Sequence, residues 1–131
     1  MKHSLFAGAF VVALLAAVAV PTAAHHSFAA AYLLEDVQPL RGTVLNVAFR
    51  EPHVYVHVEA PDHAGAMQRW SLEWRDVTTL AAAGITHATL RPGDQVEVIG
   101  HPGRNPETHQ LLIVRISRLA DGWRWGGESL D

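Results

Sequence analysis

Histidine is the residue type in this chain that is best suited to metal or acid–base chemistry. The sequence of 131 residues contains nine histidines, two methionines and no cysteine. Imidazole nitrogens are therefore its main ligands for a borderline-soft metal ion such as copper or zinc. Four histidines have positions that suggest a function. They are the adjacent pair His25 and His26, then His53 directly after a proline, and His57 on the same predicted strand.

His25 acquires a particular chemistry if the chain is cut directly before it. Residues 1–24 begin with a basic residue, continue as an apolar run over 5–20 and end in small residues, which is the order of a secretory signal peptide. Cleavage after Ala24 would place Thr22 and Ala24 where signal peptidase prefers small side chains. An uncleaved membrane anchor is the alternative, but the run is short for a span of about 20 residues. We therefore expect export to the periplasm.

An N-terminal histidine offers two metal ligands at once, its free amine and a ring nitrogen. One more imidazole would complete a three-nitrogen site of the tetragonal kind that favours Cu(II), which also heads the affinity order of the divalent metals. We predict a copper site formed by His25 with His53 or His26, and His53 is preferred because it lies at an accessible strand end. His57 would lie roughly 13 Å from His53 along one strand, so these two cannot share an ion.

Structural roles for the same residues remain open. A histidine pair at a mature terminus can be a poorly ordered start, and His53 can stabilise a corner by bonding a backbone carbonyl. A histidine cluster can also respond to acid near about pH 6.5 without binding metal. Glu51 and Glu73 are interpreted as solvated carboxylates. The other histidines of the mature chain are interpreted as solvated loop residues: His63, His87, His101 and His109.

Five strands are predicted to position these residues, each indicated by apolar residues that alternate with a period of two. They cover residues 43–49, 53–59, 68–74, 95–100 and 111–119. In the first strand, Leu45, Val47 and Phe49 are predicted to share a face. Pro52 marks a corner between the first two strands, because proline cannot donate to a sheet ladder.

The second and third strands have the plainest alternation. The residues predicted to share a face are Val54, Val56 and Val58 in the second strand, and Trp70, Leu72 and Trp74 in the third. The opposite face of the second strand carries Tyr55 and His57, which form a candidate ligand face.

A short helix is predicted between the third and fourth strands, over 77–83, with Asp76 as its N-cap and Gly84 at its end. Five strands with one helix in this place are typical of a small all-β barrel of the OB-like kind, and a β-sandwich or an open sheet with one helix is the alternative. Pro39 is expected to end the lead-in to the barrel. The predicted organisation is a signal peptide (1–24), an N-terminal arm (25–40), an OB-like barrel domain (41–125) and a C-terminal tail (126–131).

Charge and composition limit the partners. Without residues 1–24, nine arginines face thirteen carboxylates, a net charge of −4, and no lysine remains. Such a chain has no electrostatic basis for binding nucleic acid or anionic lipid, and we expect no membrane span after signal cleavage. An exported domain without cysteine suits a bacterial periplasm better than a small extracellular scaffold, which would be disulfide-bonded.

Several short motifs together resemble a bacterial exported family of uncharacterised function. They are Ala24-His25-His26-Ser27-Phe28 after the signal, Gly42-Thr43-Val44 in the first strand, Glu51-Pro52-His53 at the corner, the turn from Leu90 to Asp94, and an ending from Arg115 and Arg118 to Gly122. In that family the corner usually reads Asn-Pro-His, so Glu51 departs from the pattern, as does Phe49 where tryptophan is typical. The resemblance implies a small exported barrel and brings no reaction or ligand with it.

The sequence carries no catalytic fingerprint such as a nucleophile elbow, a phosphate loop or a zinc-protease motif. A hydrolase or oxidase built on the same histidines stays open, but a non-catalytic role is favoured. We predict a periplasmic module that binds Cu(II), or with less support Zn(II). The alternative is a metal-free barrel that binds a small ligand or a cell-envelope protein through the Tyr55 and His57 face, or through Trp123 and Trp125 near the C-terminus.

Overall fold

The structure, a computed structural model, describes residues 27–127. Its elements are α1 (Phe28–Ala31), β1 (Gln38–Ala48), β2 (Tyr55–Pro61), β3 (Met67–Glu73), α2 (Val77–Ala82), β4 (Gln95–Pro102), a 3-10 turn (Pro106–Thr108), β5 (Gln110–Arg118) and β6 (Arg124–Gly126). The predicted signal peptide, His25 and His26 lie outside the described residues. Within 27–127, no helix has both the length and the apolar character that crossing a membrane requires.

Five of the six strands close into a barrel. β1 pairs antiparallel with β2 on one side and β4 on the other, while β2 pairs with β3 and β4 with β5. A short parallel pairing of β3 with β5 completes the circle. β6 pairs with residues 115–117 of β5, which follow the residues of β5 that pair with β3. The predicted all-β, OB-like barrel with one short helix between its third and fourth strands is therefore confirmed.

Alternation along β2 and β3 builds the core as predicted. Val56 and Val58 are fully buried, as are Val54 just before β2 and Leu72 on β3. The helix α2 also forms where its signals place it. The Asp76 carboxylate accepts a hydrogen bond from the Thr79 amide at 2.8 Å, and helix α2 ends one residue earlier than predicted.

The predicted face of the first strand is wrong at Leu45. Leu45 is 39% exposed, whereas its neighbour Val44 is 1% exposed and belongs to the core. The pairing with β2 shifts between Val44 and Asn46, so Leu45 is the extra residue of a β-bulge, and a bulge moves the alternation by one residue. Beyond it, Val47 and Phe49 pack against the core as expected.

β1 also begins earlier than predicted, at Gln38, and so includes Pro39. Residues 38–42 pair with β4 and not with β2, whose pairing starts at Thr43. A proline is tolerated there because one side of the strand has no ladder to which its missing N–H would donate.

The C-terminal tryptophans pack on the barrel. Trp125 on β6 meets Trp74 edge-on with ring centroids 5.3 Å apart, and the Arg118 guanidinium lies 5.6 Å from the centre of the Trp123 ring. Both tryptophans are partly buried against the core. They therefore cover part of the barrel, and a role as a free aromatic patch is not favoured.

Candidate functional site

The corner between β1 and β2 holds His53 beside the end of β3. The Glu51–Pro52 peptide bond in this corner is cis. The Val54 amide donates to the Arg75 carbonyl at 2.9 Å, and the Trp74 amide donates to the Val54 carbonyl at 2.8 Å. These two bonds attach the residue after His53 to the chain that leaves β3.

His53 and Glu73 form a close polar pair in this position. The His53 Nδ1 lies 2.7 Å from Glu73 Oε1, and the Tyr32 hydroxyl donates to the other carboxylate oxygen, Oε2. Among residues 27–127, Glu73 is the one charged residue that is buried. The interpretation of Glu73 as a solvated carboxylate is therefore wrong, because both of its oxygens are engaged by side chains that also shield it from water.

The N-terminal arm is what buries Glu73. Tyr32 bridges to Gly103 in antiparallel fashion, the Leu33 amide donates to the Pro102 carbonyl, and the Arg104 amide donates to the Ala31 carbonyl, both at 2.9 Å. The arm is therefore held beside the end of β4 by one isolated β-bridge and these hydrogen bonds. This position brings the Tyr32 side chain to the Glu73 carboxylate at the end of β3.

Phe28, near the start of the described chain, lies against the corner. Its ring centroid is 5.4 Å from that of His53, with the planes 33° apart, and 6.4 Å from that of Tyr32. The arm thus reaches the predicted histidine. His53 retains partial access to solvent, with 31% of its side chain exposed.

The two tyrosines of the site are held in their neutral form. Burial and the hydrogen bond to Glu73 raise the pKa of the Tyr32 hydroxyl well above its usual value. Burial and the nearby charge of Glu73 also raise the pKa of Tyr55, which lies directly opposite Glu73 in the pairing of β2 with β3. Both phenols are therefore hydrogen-bond donors at neutral pH.

The candidate ligand face of Tyr55 and His57 adjoins this cluster. Their rings are parallel within 12°, with centroids 6.4 Å apart, and the His57 Nδ1 lies 3.3 Å from the Ser71 hydroxyl. Burial lowers the pKa of His57, and the charges of Arg69 and Arg50 lower it further. His57 is thus kept neutral beside two cationic side chains.

The remaining histidines are less uniform than their interpretation as solvated loop residues implies. His63 and His87 are exposed. His101 lies in β4, and its Nδ1 is 2.6 Å from the Asp36 carbonyl oxygen. His109 is half-buried and packs edge-on against Trp70, with centroids 5.2 Å apart. For these last two the interpretation is wrong, because each ring has a partner from a distant part of the chain.

The structure brings together one predicted ligand and two residues that sequence reasoning assigned no role in the site. His53 meets Glu73 and Tyr32, while His25 and His26 lie outside the described residues. Within the described part of the chain, no three histidine, aspartate or glutamate side chains are grouped so that they could hold a metal ion.

Fold and site together define a small closed β-barrel whose N-terminal arm is anchored at one corner through a buried carboxylate. Residues 12–112 match the model of a family of unknown function (DUF6152), and this match covers most of the chain. The protein belongs to that family, which confirms the resemblance to an uncharacterised family. No match was found among curated proteins or among solved structures.

Proposed function

We propose that this protein is an exported binding module that holds Cu(II) through the amine and ring of a mature N-terminal His25 and the ring of His53. The observation that carries the proposal is the contact between Phe28 and His53, with ring centroids 5.4 Å apart. His25 precedes Phe28 by three residues. Three residues span at most about 11 Å, so the arm is anchored close enough for His25 to reach the corner.

The available donors favour copper. Glu73 is the carboxylate that contacts His53, and both of its oxygens already accept hydrogen bonds. The ligands offered at the corner are then nitrogens, from the terminal amine and imidazoles. Nitrogen donors in a tetragonal arrangement select Cu(II), whereas carboxylate or water ligands would suit other ions. His26 is the alternative third ligand, and Zn(II) is the less favoured metal.

The amine ligand can be tested by titration calorimetry with Cu(II). Intact mass of the exported protein first establishes that the chain begins at His25. The processed protein is then compared with the same protein acetylated at its amino terminus, which keeps every imidazole and blocks only the amine. We expect the acetylated protein to bind at least about tenfold more weakly. Equal affinities would remove the amine from the site.

The role of His53 needs a matched pair of variants. His53→Ala should lose binding to at least the same degree as the acetylated protein. His87→Ala removes an exposed histidine that has no contact with the corner, and its affinity should equal that of the unmodified protein. If His87→Ala weakens binding as much as His53→Ala, copper binds to exposed histidines in general and the proposed site is wrong.

A metal-free module for a small ligand is the second candidate. The parallel rings of Tyr55 and His57 favour it, because such a pair offers flat aromatic surface beside Arg50 and Arg69. Binding of a peptide or envelope component would then be lost in Tyr55→Ala. It would be unchanged in His53→Ala and in the presence of a chelator.

A further inference from the structure

We propose that Glu73 and Tyr32 are positioning residues that hold His53 in a single tautomer, with the proton on Nδ1 and the lone pair on Nε2. The tautomer is a property of the metal-free protein. Its consequence for metal, that Nε2 is the coordinating atom, rests on the copper-binding function proposed above.

The hydrogen-bond pattern around Glu73 determines the tautomer. An ionised carboxylate only accepts hydrogen bonds. Tyr32 donates to Oε2, and Nδ1 of His53 lies 2.7 Å from Oε1. The short Nδ1 to Oε1 contact is satisfied when Nδ1 carries the proton and donates it. In a neutral imidazole Nε2 then has no proton, and it makes no hydrogen bond to any of residues 27–127.

The burial of Glu73 supports a positioning role. A buried carboxylate costs free energy unless it is well hydrogen-bonded, and about 11% of the Glu73 side chain is exposed. It accepts its two side-chain hydrogen bonds from residues distant in sequence, 41 and 20 positions away. A carboxylate behind a metal-binding histidine orients the ring and raises its basicity, and loss of such a partner typically weakens metal binding by about 10–100-fold.

Tyr32 extends this arrangement to the arm. Its backbone bridges to Gly103 and its hydroxyl bonds Glu73, so one carboxylate holds both the arm and the His53 ring. The same contact keeps Phe28 over His53, since Phe28 and Tyr32 lie one helical turn apart and the Tyr32 amide donates to the Phe28 carbonyl at 2.8 Å. Glu73, which orients the His53 ring, therefore also anchors the arm.

The tautomer can be measured directly by two-bond 1H–15N NMR spectroscopy of the histidine side chains in the processed, metal-free protein near pH 8. We expect the Nδ1–H form for His53 in the unmodified protein. Glu73→Gln presents Nδ1 with an amide that can donate, and should move His53 toward the Nε2–H form. Tyr32→Phe removes one donor from Glu73 without altering Oε1, and should move it less. The signals of His57 serve as the internal reference, because its ring bonds Ser71 and not Glu73.

Copper titration of the same proteins supplies the second measurement. Glu73→Gln should weaken Cu(II) binding by about 10–100-fold, and Tyr32→Phe should weaken it by a smaller factor. Glu59→Gln is the matched control, because Glu59 is an exposed carboxylate on the outer face of β2 and has no contact with His53. Its tautomers and affinity should equal those of the unmodified protein. Tyr32→Phe keeps the test usable if Glu73→Gln fails to fold.

The outcomes separate the two proposals. An Nε2–H tautomer in the unmodified protein overturns the positioning role, and so does a Glu73→Gln protein that folds and keeps both tautomer and affinity. An Nδ1–H tautomer that shifts in Glu73→Gln, in proteins that do not bind Cu(II), supports the positioning role and overturns the copper function. Copper binding that is lost in His53→Ala and unaffected in a folded Glu73→Gln protein supports the copper function and overturns the positioning role.

Discussion

Glu73 is a carboxylate on the outer face of a strand, where side chains are ordinarily solvated, and the N-terminal arm is what covers it. The Tyr32 hydroxyl and the His53 ring engage its two oxygens. Because neither partner is near Glu73 in sequence, the three side chains come together only in the folded protein. At the scale of single residues, the site is thus a small polar network on the outside of the barrel, between the N-terminal arm and the corner.

Such a network predicts non-additive effects on stability. Tyr32→Phe leaves the buried carboxylate with one donor fewer and should cost about 1–3 kcal/mol. Glu73→Gln should also destabilise, because it removes the charge that both donors bond. In the double variant the second change costs less than it does alone, with a coupling of about 0.5–3 kcal/mol. Urea unfolding of the four proteins measures the coupling, and strictly additive losses would contradict the network.

At the scale of elements, the bulge in β1 decides which apolar residues belong to the core. The sequence pattern places Leu45 with Val47 and Phe49, whereas the structure buries Val44. A prediction that assumes strict alternation misses a bulge. The one extra residue moves the residues on one side of the bulge to the opposite face of the strand. The alternation of the histidine-bearing strand β2 has no such interruption, and its faces were predicted correctly.

The bulge can be tested by a pair of substitutions. Val44→Ala removes two methyl groups from a closely packed core and should cost about 2 kcal/mol. Leu45→Ala alters a side chain in contact with solvent and should stay within about 0.5–1 kcal/mol. Chemical denaturation of both variants gives the comparison. If Leu45→Ala is the more damaging, β1 keeps a regular alternation and the bulge is wrong.

The N-cap of α2 predicts a pH effect on stability. Hydrogen bonds from the Thr79 amide and hydroxyl lower the pKa of Asp76 below its usual value. A pKa that is lower in the folded than in the unfolded state means stabilisation that is present above the unfolded value of about 3.9. This stabilisation is lost as the pH falls through the folded value.

Asp76→Asn distinguishes this effect from the general acid sensitivity of the fold. Asparagine keeps an N-cap acceptor but cannot titrate. Between about pH 6 and about pH 3, its melting temperature should fall less steeply than that of the unmodified protein, while the two remain close at neutral pH. Circular dichroism melts at a series of pH values provide the measurement, and parallel curves would show that Asp76 does not contribute.

At the scale of the whole molecule, the barrel closure and the arm position one corner. The parallel pairing of β3 with β5 closes the circle of strands, and the arm lies along the end of β4. The metal site proposed there would link the N-terminal arm to the barrel, since its ligands come from the chain terminus and from the corner between β1 and β2. Binding should therefore stabilise the whole fold.

Thermal unfolding with Cu(II) tests this coupling. A ligand that binds the folded form alone at 100 times its Kd stabilises by about 2.7 kcal/mol, and the histidines of the unfolded chain reduce the gain. We expect a rise in Tm for the processed protein that a chelator reverses. The protein acetylated at its amino terminus should show a smaller rise in Tm, and equal rises would argue against a site that uses the terminal amine.

Periodicity, helix caps and a proline are local signals, and they were sufficient to predict the barrel, the helix between its third and fourth strands and the place of His53 at a corner. Four features became evident only in the folded protein: the burial of Glu73, the hydrogen bond of Tyr32 to it, the bulge at Leu45 and the packing of the C-terminal tryptophans. Each of these depends on contacts between segments far apart in the chain. Such contacts leave no mark in local composition, because a glutamate that faces water and one that a distant tyrosine covers occupy the same place in the pattern.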